Sequence, residues 1–191
     1  RSFFTLGPGI VRGGDAELNV NEYMSNDETA KLRLILGGSV VSKYQQDQDP
    51  IYNLPENVTA FAGRMRLAYN KATLTSEYAY KINDPSMFNK MIYKDGHALM
   101  TNLTITDKGY GIVLGAKYLD NMDFRSDRAA TGNNLTLNFL PPIAKQHTYR
   151  LVTLYPFVTQ ARGEMGYSAE IFYNFKPGTA LEGKYGTLVN A

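Results

Sequence analysis

The residues with the clearest chemical potential are two histidines, an acidic loop and a recurring set of charges. His97 and His147 are the only imidazoles, and both fall where a strand is expected to begin beside a loop. A catalytic role would need a carboxylate to orient the ring and a nucleophile within hydrogen-bond reach. Neither histidine has such neighbours in sequence, so both read as polar residues at strand ends. Asp120, Asp123 and Asp127 share one stretch with Arg125 and Arg128. Three carboxylates could hold calcium, but the spacing lacks the alternating ligands and central glycine of a calcium loop. An internally paired loop is expected there, and no metal is assigned. Gly7-Pro8-Gly9 with Gly13-Gly14 follows no strand and lacks phosphate-binding spacing. The absence of cysteine removes disulfides, thiolate metal sites and cysteine nucleophiles together. No enzymatic activity and no cofactor are therefore expected.

The charges are more informative. Arg33, Arg64, Arg66, Lys81, Lys117, Arg150 and Lys184, with Glu77, Glu170 and Glu182, all fall on the polar face of segments that alternate with a period of two. That period belongs to β-strands, whose successive side chains point to opposite faces. Leu32, Leu34, Leu36, Gly38 and Val40 oppose Arg33, Ile35, Gly37, Ser39 and Val41. Phe61 to Tyr69 and Leu74 to Ile82 repeat the pattern around Asn70-Lys71, and Leu99 to Ile105 and Tyr110 to Tyr118 repeat it around Asp107-Lys108-Gly109. These are hairpins. Leu135 to Phe139, Tyr149 to Phe157, Met165 to Phe175 and Leu181 to Tyr185 read as further strands, and Glu17 to Glu22 as a weaker one. The expectation is an all-β, antiparallel up-and-down meander of nine or ten strands. It forms one domain over residues 1–191, irregular or weakly stranded in 1–30 and a meander in 31–191. No helical period competes, although Ser126 to Thr131 could hold one turn.

The 191 residues carry 20 Lys+Arg against 18 Asp+Glu, a balance that does not point to nucleic acid. No apolar run is long enough for a transmembrane helix. The aromatic content is 14 Tyr and 9 Phe with no Trp, beside 17 Gly, which suits strands and tight turns. The opening Arg1-Ser2-Phe3-Phe4 has neither a Met nor an export signal, so any signal is expected upstream or removed.

A meander with one apolar face per strand is apolar inside in a soluble barrel and apolar outside in a membrane barrel. The strand lengths suit a tilted bilayer crossing. Long polar loops at 45–57, 83–96 and 120–133 alternate with tight turns, an asymmetry of outer-membrane barrels. Tyr69, Tyr80, Tyr110, Tyr118, Phe139, Tyr149, Phe157 and Phe175 lie near the ends of apolar stripes, where an aromatic girdle would meet headgroups. Ser76 interrupts its stripe and counts against lipid exposure.

At Glu77-Tyr78-Ala79-Tyr80-Lys81-Ile82-Asn83-Asp84-Pro85 and the Asp120 to Arg128 loop, the chain resembles a family of uncharacterised outer-membrane β-barrel proteins from Bacteroidota. The resemblance extends through Leu54-Pro55-Glu56-Asn57-Val58, Lys145-Gln146-His147-Thr148-Tyr149 and Gly183-Lys184-Tyr185-Gly186-Thr187. It covers most of the chain from about Lys31. It implies a longer barrel with additional strands upstream and a location in the outer membrane, and it carries no catalytic residues. The expectation is an outer-membrane β-barrel or barrel segment, porin-like, passing small polar or anionic solutes along the lumen residues above. Its partners would be outer-membrane lipid and, through the long loops, other envelope proteins. A structural docking barrel without transport and a soluble barrel holding an apolar ligand remain the alternatives.

Overall fold

The computed structural model describes residues 9–24, 31–132, 134–143, 159–175, 178, 179, 181 and 186–190. Among the described residues, eight strands form one antiparallel sheet in sequence order. They are β1 (Ile10–Asn19), β2 (Leu32–Tyr44), β3 (Asn57–Tyr69), β4 (Ala72–Lys81), β5 (Gly96–Asp107), β6 (Tyr110–Asp120), β7 (Gly163–Phe175) and β8 (Thr187–Asn190). Among the described residues the pairing runs from β1 to β8 without closing, as a segment of a barrel would. The all-β meander expected from the alternation is the architecture observed.

Local chemistry explains the reversals. The β3–β4 turn places Asn70 at φ 50° and the β5–β6 turn places Gly109 at φ 87°, conformations that asparagine and glycine adopt at low cost. Lys71 and Asp107 form an ion pair that ties these adjacent turns together. After β1 the chain enters a short helix, α1 (Val20–Met24). Asn19 Nδ2 donates to Glu22 Oε1 at 2.7 Å across its first turn, and Asn21 Oδ1 accepts from the Leu34 amide at 2.7 Å. These bonds end the strand at Asn19, so the weak strand expected at Glu17 to Glu22 is instead the end of a longer β1 followed by a helical turn.

Register lines the apolar residues up in rows across the outer face. Leu34, Leu67, Leu74, Leu103 and Leu114 are consecutive partners from β2 to β6. In the next row Leu32 and Tyr69 lead through Ala72 to Ile105, Ile112 and Ile171. A slip of one residue would move every one of these side chains to the other face, so the pattern itself holds the register. Ser76 stands directly opposite Thr101, and their hydroxyls lie 2.9 Å apart. The interruption in the stripe is thus a mutually hydrogen-bonded pair, which removes most of the penalty of placing a lone hydroxyl among apolar groups.

The three long connections, after β2, β4 and β6, lie at one end of the sheet. Leu135 to Phe139 is not a strand: among the described residues its one sheet-like contact is the Arg125–Thr136 bridge, and the segment packs against its own loop. β6 instead pairs directly with β7, from Tyr110–Tyr173 to Asp120–Gly163. The expected strand at Tyr149 to Phe157 and the stretch 182–185 lie outside the described residues.

Gly111 faces Phe172 across β6 and β7, and a Cβ at Gly111 would overlap the ring. An aromatic laid over a cross-strand glycine restores packing that the glycine forgoes. Gly111→Val should displace the ring at a cost of about 1–3 kcal/mol, read as a lower denaturant midpoint with unchanged strand content by circular dichroism.

Candidate functional site: the inner wall and its loop roof

The inner face carries the polar residues that the alternation assigns to it, in two environments. Towards the tight turns it is open. Arg64 Nη2 meets Asp15 Oδ1 at 2.6 Å, and Glu77 is its partner on β4. The Arg64 guanidinium lies over Gly37, where a Cβ would come within 3.0 Å of Nε, so the glycine makes room for it. Arg33 and Arg66 are exposed on the same wall, and Glu170 accepts from Asn190 Nδ2 at 3.0 Å. Asp15 and Glu17 of β1 reach this face through the β1–β2 register, opposite Ser39 and Gly37. The basic excess expected from the sequence omitted both, because the N-terminal region reads as weak structure; with them that excess narrows.

At the long-loop end the inner wall is roofed. Lys43, Lys81 and Lys117 stand near the loop ends of β2, β4 and β6, and all three are buried. Each holds a loop in place. Lys43 Nζ pairs with Asp84 of the β4–β5 loop at 2.6 Å, and Lys81 Nζ donates to the Asp123 carbonyl. Lys117 Nζ donates to the Pro141 carbonyl at 3.0 Å and to Thr159 Oγ1 at 3.2 Å, and pairs with Glu164. Lys81 and Lys117 therefore lie on the inner face as expected, but not in lumen water. The amine at the tip of a long side chain reaches loop carbonyls and carboxylates that fold over it.

The acidic loop does not converge on one point. Asp123 accepts from Arg125 Nε at 2.9 Å, Asp120 pairs with Lys94 at 2.7 Å, and Asp127 accepts from Gln45 Nε2 at 3.0 Å. Arg125 also stacks on Phe88, 4.8 Å from the ring centroid, while Arg128 reaches the Pro55 carbonyl. The weak metal candidate Asp120, Asp123 and Asp127 is thus dispersed over three separate partners. The loops are also braced internally. Asp47 accepts from the amides of Asp49 at 3.1 Å and Leu54 at 3.0 Å, which holds its carboxyl below the usual carboxylate range. The hydrogen bond from Lys94 to Asp120 raises the lysine above its ordinary value. Asn89 ties Asp84 and Asn121 together, accepting also from the Ser86 amide at 2.9 Å. Sequence reasoning missed Lys43, Asp84, Asn89 and Asn121 because nothing local distinguishes a loop residue that turns inward.

On the opposite face Tyr69, Tyr110 and Tyr118 are exposed at or near strand ends. The Tyr80 hydroxyl donates to Asp95 Oδ2 at 2.7 Å, and its ring lies 5.3 Å from His97. The Tyr78 hydroxyl is 2.8 Å from His97 Nδ1, so this histidine belongs to an outer-face aromatic group. Phe175 packs edge-on against Tyr173, with centroids 5.0 Å apart. Phe139 is highly exposed, but on the β6–β7 loop rather than a strand. Tyr149, Phe157, Arg150, Glu182, Lys184 and His147 lie outside the described residues.

No curated protein and no solved structure matches the chain. A family model does match, over residues 1–191, and its description is a family of unknown function, DUF6029. On that match across its whole length, the chain belongs to the DUF6029 family.

Proposed function

We propose that this chain forms the wall of a bacterial outer-membrane β-barrel whose inner space is roofed by its long loops. The observation that carries the reading is the outer face. Leu36, Phe61, Leu99, Leu114, Tyr118, Met165 and Ile171 are exposed on it, strand after strand. Contiguous exposed apolar surface on this scale needs a nonaqueous neighbour. From Phe61 to Tyr69 the belt runs about 26 Å along β3 at ~3.3 Å per residue. With a strand tilt of ~40° it covers about 20 Å of depth, close to the apolar band of outer-membrane barrels. Phe61 and Tyr80 stand at its loop end, and Tyr69 and Tyr110 at its turn end, the positions of interfacial aromatics.

The roof favours a docking role over a freely conducting one. The β2–β3 and β4–β5 loops expose Ile51, Met87, Ile92 and Tyr93 outside the belt, and the Tyr93 hydroxyl joins the two loops through the Asn53 carbonyl at 3.0 Å. Rigid loops with exposed apolar side chains suit contact with another envelope protein. Passage of small polar or anionic solutes is the competing role. Conductance steps whose ion selectivity changes with Arg64→Glu and Arg66→Glu would favour it over docking.

The membrane reading predicts that the expressed protein sediments with the outer-membrane fraction, needs detergent for extraction, and migrates differently on gels before and after boiling. Recovery in the soluble fraction without detergent would refute it and return the soluble ligand-binding barrel to first place.

A further inference from the structure

Beneath the roof, the described loop residues leave a space above the inner wall. A cavity of about 450 Å³ lies between the inner wall and the β6–β7 loop. Its floor is recessed because register places Ser39, Ala62, Ala79 and Ala98 as consecutive partners on β2 to β5, ending at Leu119 on β6. Its roof is apolar, built from Met122, Phe124, Leu137 and Leu140.

Met122 and Phe124 of the roof are buried together with Leu119 at the end of the floor, and polar bonds fix the rest of the roof. The Leu137 amide donates to the Phe124 carbonyl at 2.8 Å, and Asn138 Nδ2 donates to the Met122 carbonyl at 2.6 Å. Lys81 holds the Asp123 carbonyl between Met122 and Phe124. Protein interiors are otherwise close-packed, and a space this large with apolar walls is of the size and character of a small-molecule site.

A polar recess adjoins the cavity. A second space of about 250 Å³ shares Glu77 and Met100 with it and is lined by Arg64, Arg66, Glu17, Thr75 and Asn102. Because arginines and glutamates both line this recess, a fully charged headgroup of either sign would meet a like charge. Hydroxyl or amide groups could donate to the carboxylates and accept from the guanidinium groups. The trough from Ser39 to Leu119 spans about 19 Å at ~4.8 Å per strand spacing, a length that takes a single aliphatic chain.

We infer that the inner wall binds a single-chain amphiphile, with its aliphatic tail on the alanine floor under the β6–β7 loop and an uncharged, hydrogen-bonding head between Arg64, Arg66 and Glu77. The site does not depend on the membrane reading, since the inner wall has the same geometry whichever solvent lies outside.

Monolauroylglycerol, one acyl chain on an uncharged diol, is a suitable probe. The full chain, exchanged into amphipol and stripped of lipid, would be titrated with it and read by native mass spectrometry. One bound molecule per chain is expected, with binding weakened at least about tenfold, or ~1.4 kcal/mol, by Ala79→Phe. Ala98→Leu, on the next strand, should have the same effect and serves where Ala79→Phe does not fold. Far-UV circular dichroism reports the fold of each variant independently of binding. Absence of a bound molecule on the folded parent, or undiminished binding by a folded floor variant, overturns the inference. Either result leaves the outer-membrane reading standing, because that is tested by fractionation.

Discussion

Leu114→Arg should destabilise the folded protein by about 2–4 kcal/mol if the outer face meets lipid as proposed, the cost of a guanidinium near a bilayer midplane. Leu114 sits in the leucine row, between Leu103 of β5 and Ala169 of β7, and is exposed on the outer face. Val113, one residue away, points to the inner wall opposite Glu170. Val113→Arg should cost much less, since an arginine there meets a carboxylate and a polar surround. Folding into lipid vesicles across a urea series, followed by gel mobility without boiling, measures both. Were the outer face in water, Leu114→Arg would fall within the ~0.5 kcal/mol typical of surface substitutions. The contrast between adjacent residues therefore reports which solvent lies outside.

Asp84→Ala should be comparably costly, about 3–5 kcal/mol, because it leaves a buried ammonium without its partner. Lys43 Nζ is fully enclosed by the loops, 2.6 Å from Asp84 Oδ2 and 5.5 Å from the centre of the Phe124 ring. The pair joins β2 to the β4–β5 loop, so its loss should loosen the roof as well as lower stability. Amide hydrogen exchange is expected to rise first in residues 84–92, where Asn89 carries several of the loop's hydrogen bonds. The double variant Lys43→Met with Asp84→Leu should recover much of the loss, since no charge is then left buried. Fast exchange in this loop accompanied by a new conductance would identify the roof as the barrier across the inner space.

Much of this fold can be read from local pattern. Strands β2 to β7 follow the two-residue alternation, and Asn70 and Gly109 mark the turns between them. Leu135 to Phe139 alternates equally well and forms no strand, because alternation measures a residue's suitability for a sheet and not whether a sheet edge is available. β6 has β7 as its neighbour, so the intervening segment has no edge to join there and folds back on Phe124 and Ser126. The N-terminal region errs in the other direction. Ile10–Asn19 is rich in small and charged residues with little alternation, yet it pairs along ten residues with β2.

The lysines show the same division within the candidate site. Alternation places Lys81 and Lys117 on the polar face, and that is where they stand. Their burial depends on Asp123, Pro141 and Glu164, which arrive from distant parts of the chain. A lysine facing water and a lysine enclosed by a loop have the same sequence neighbours.

By itself, then, the sequence determined the meander, its two faces and the grouping of long loops at one end, because a side-chain period of two and a turn's dihedral demands are local properties. The tertiary structure alone decided which polar residues are wet and which are roofed, how Ser76 is satisfied by Thr101, and where a cavity persists over the alanines. Those outcomes depend on register across strands and on loops meeting the wall they cover, and both are contacts between residues far apart in the chain.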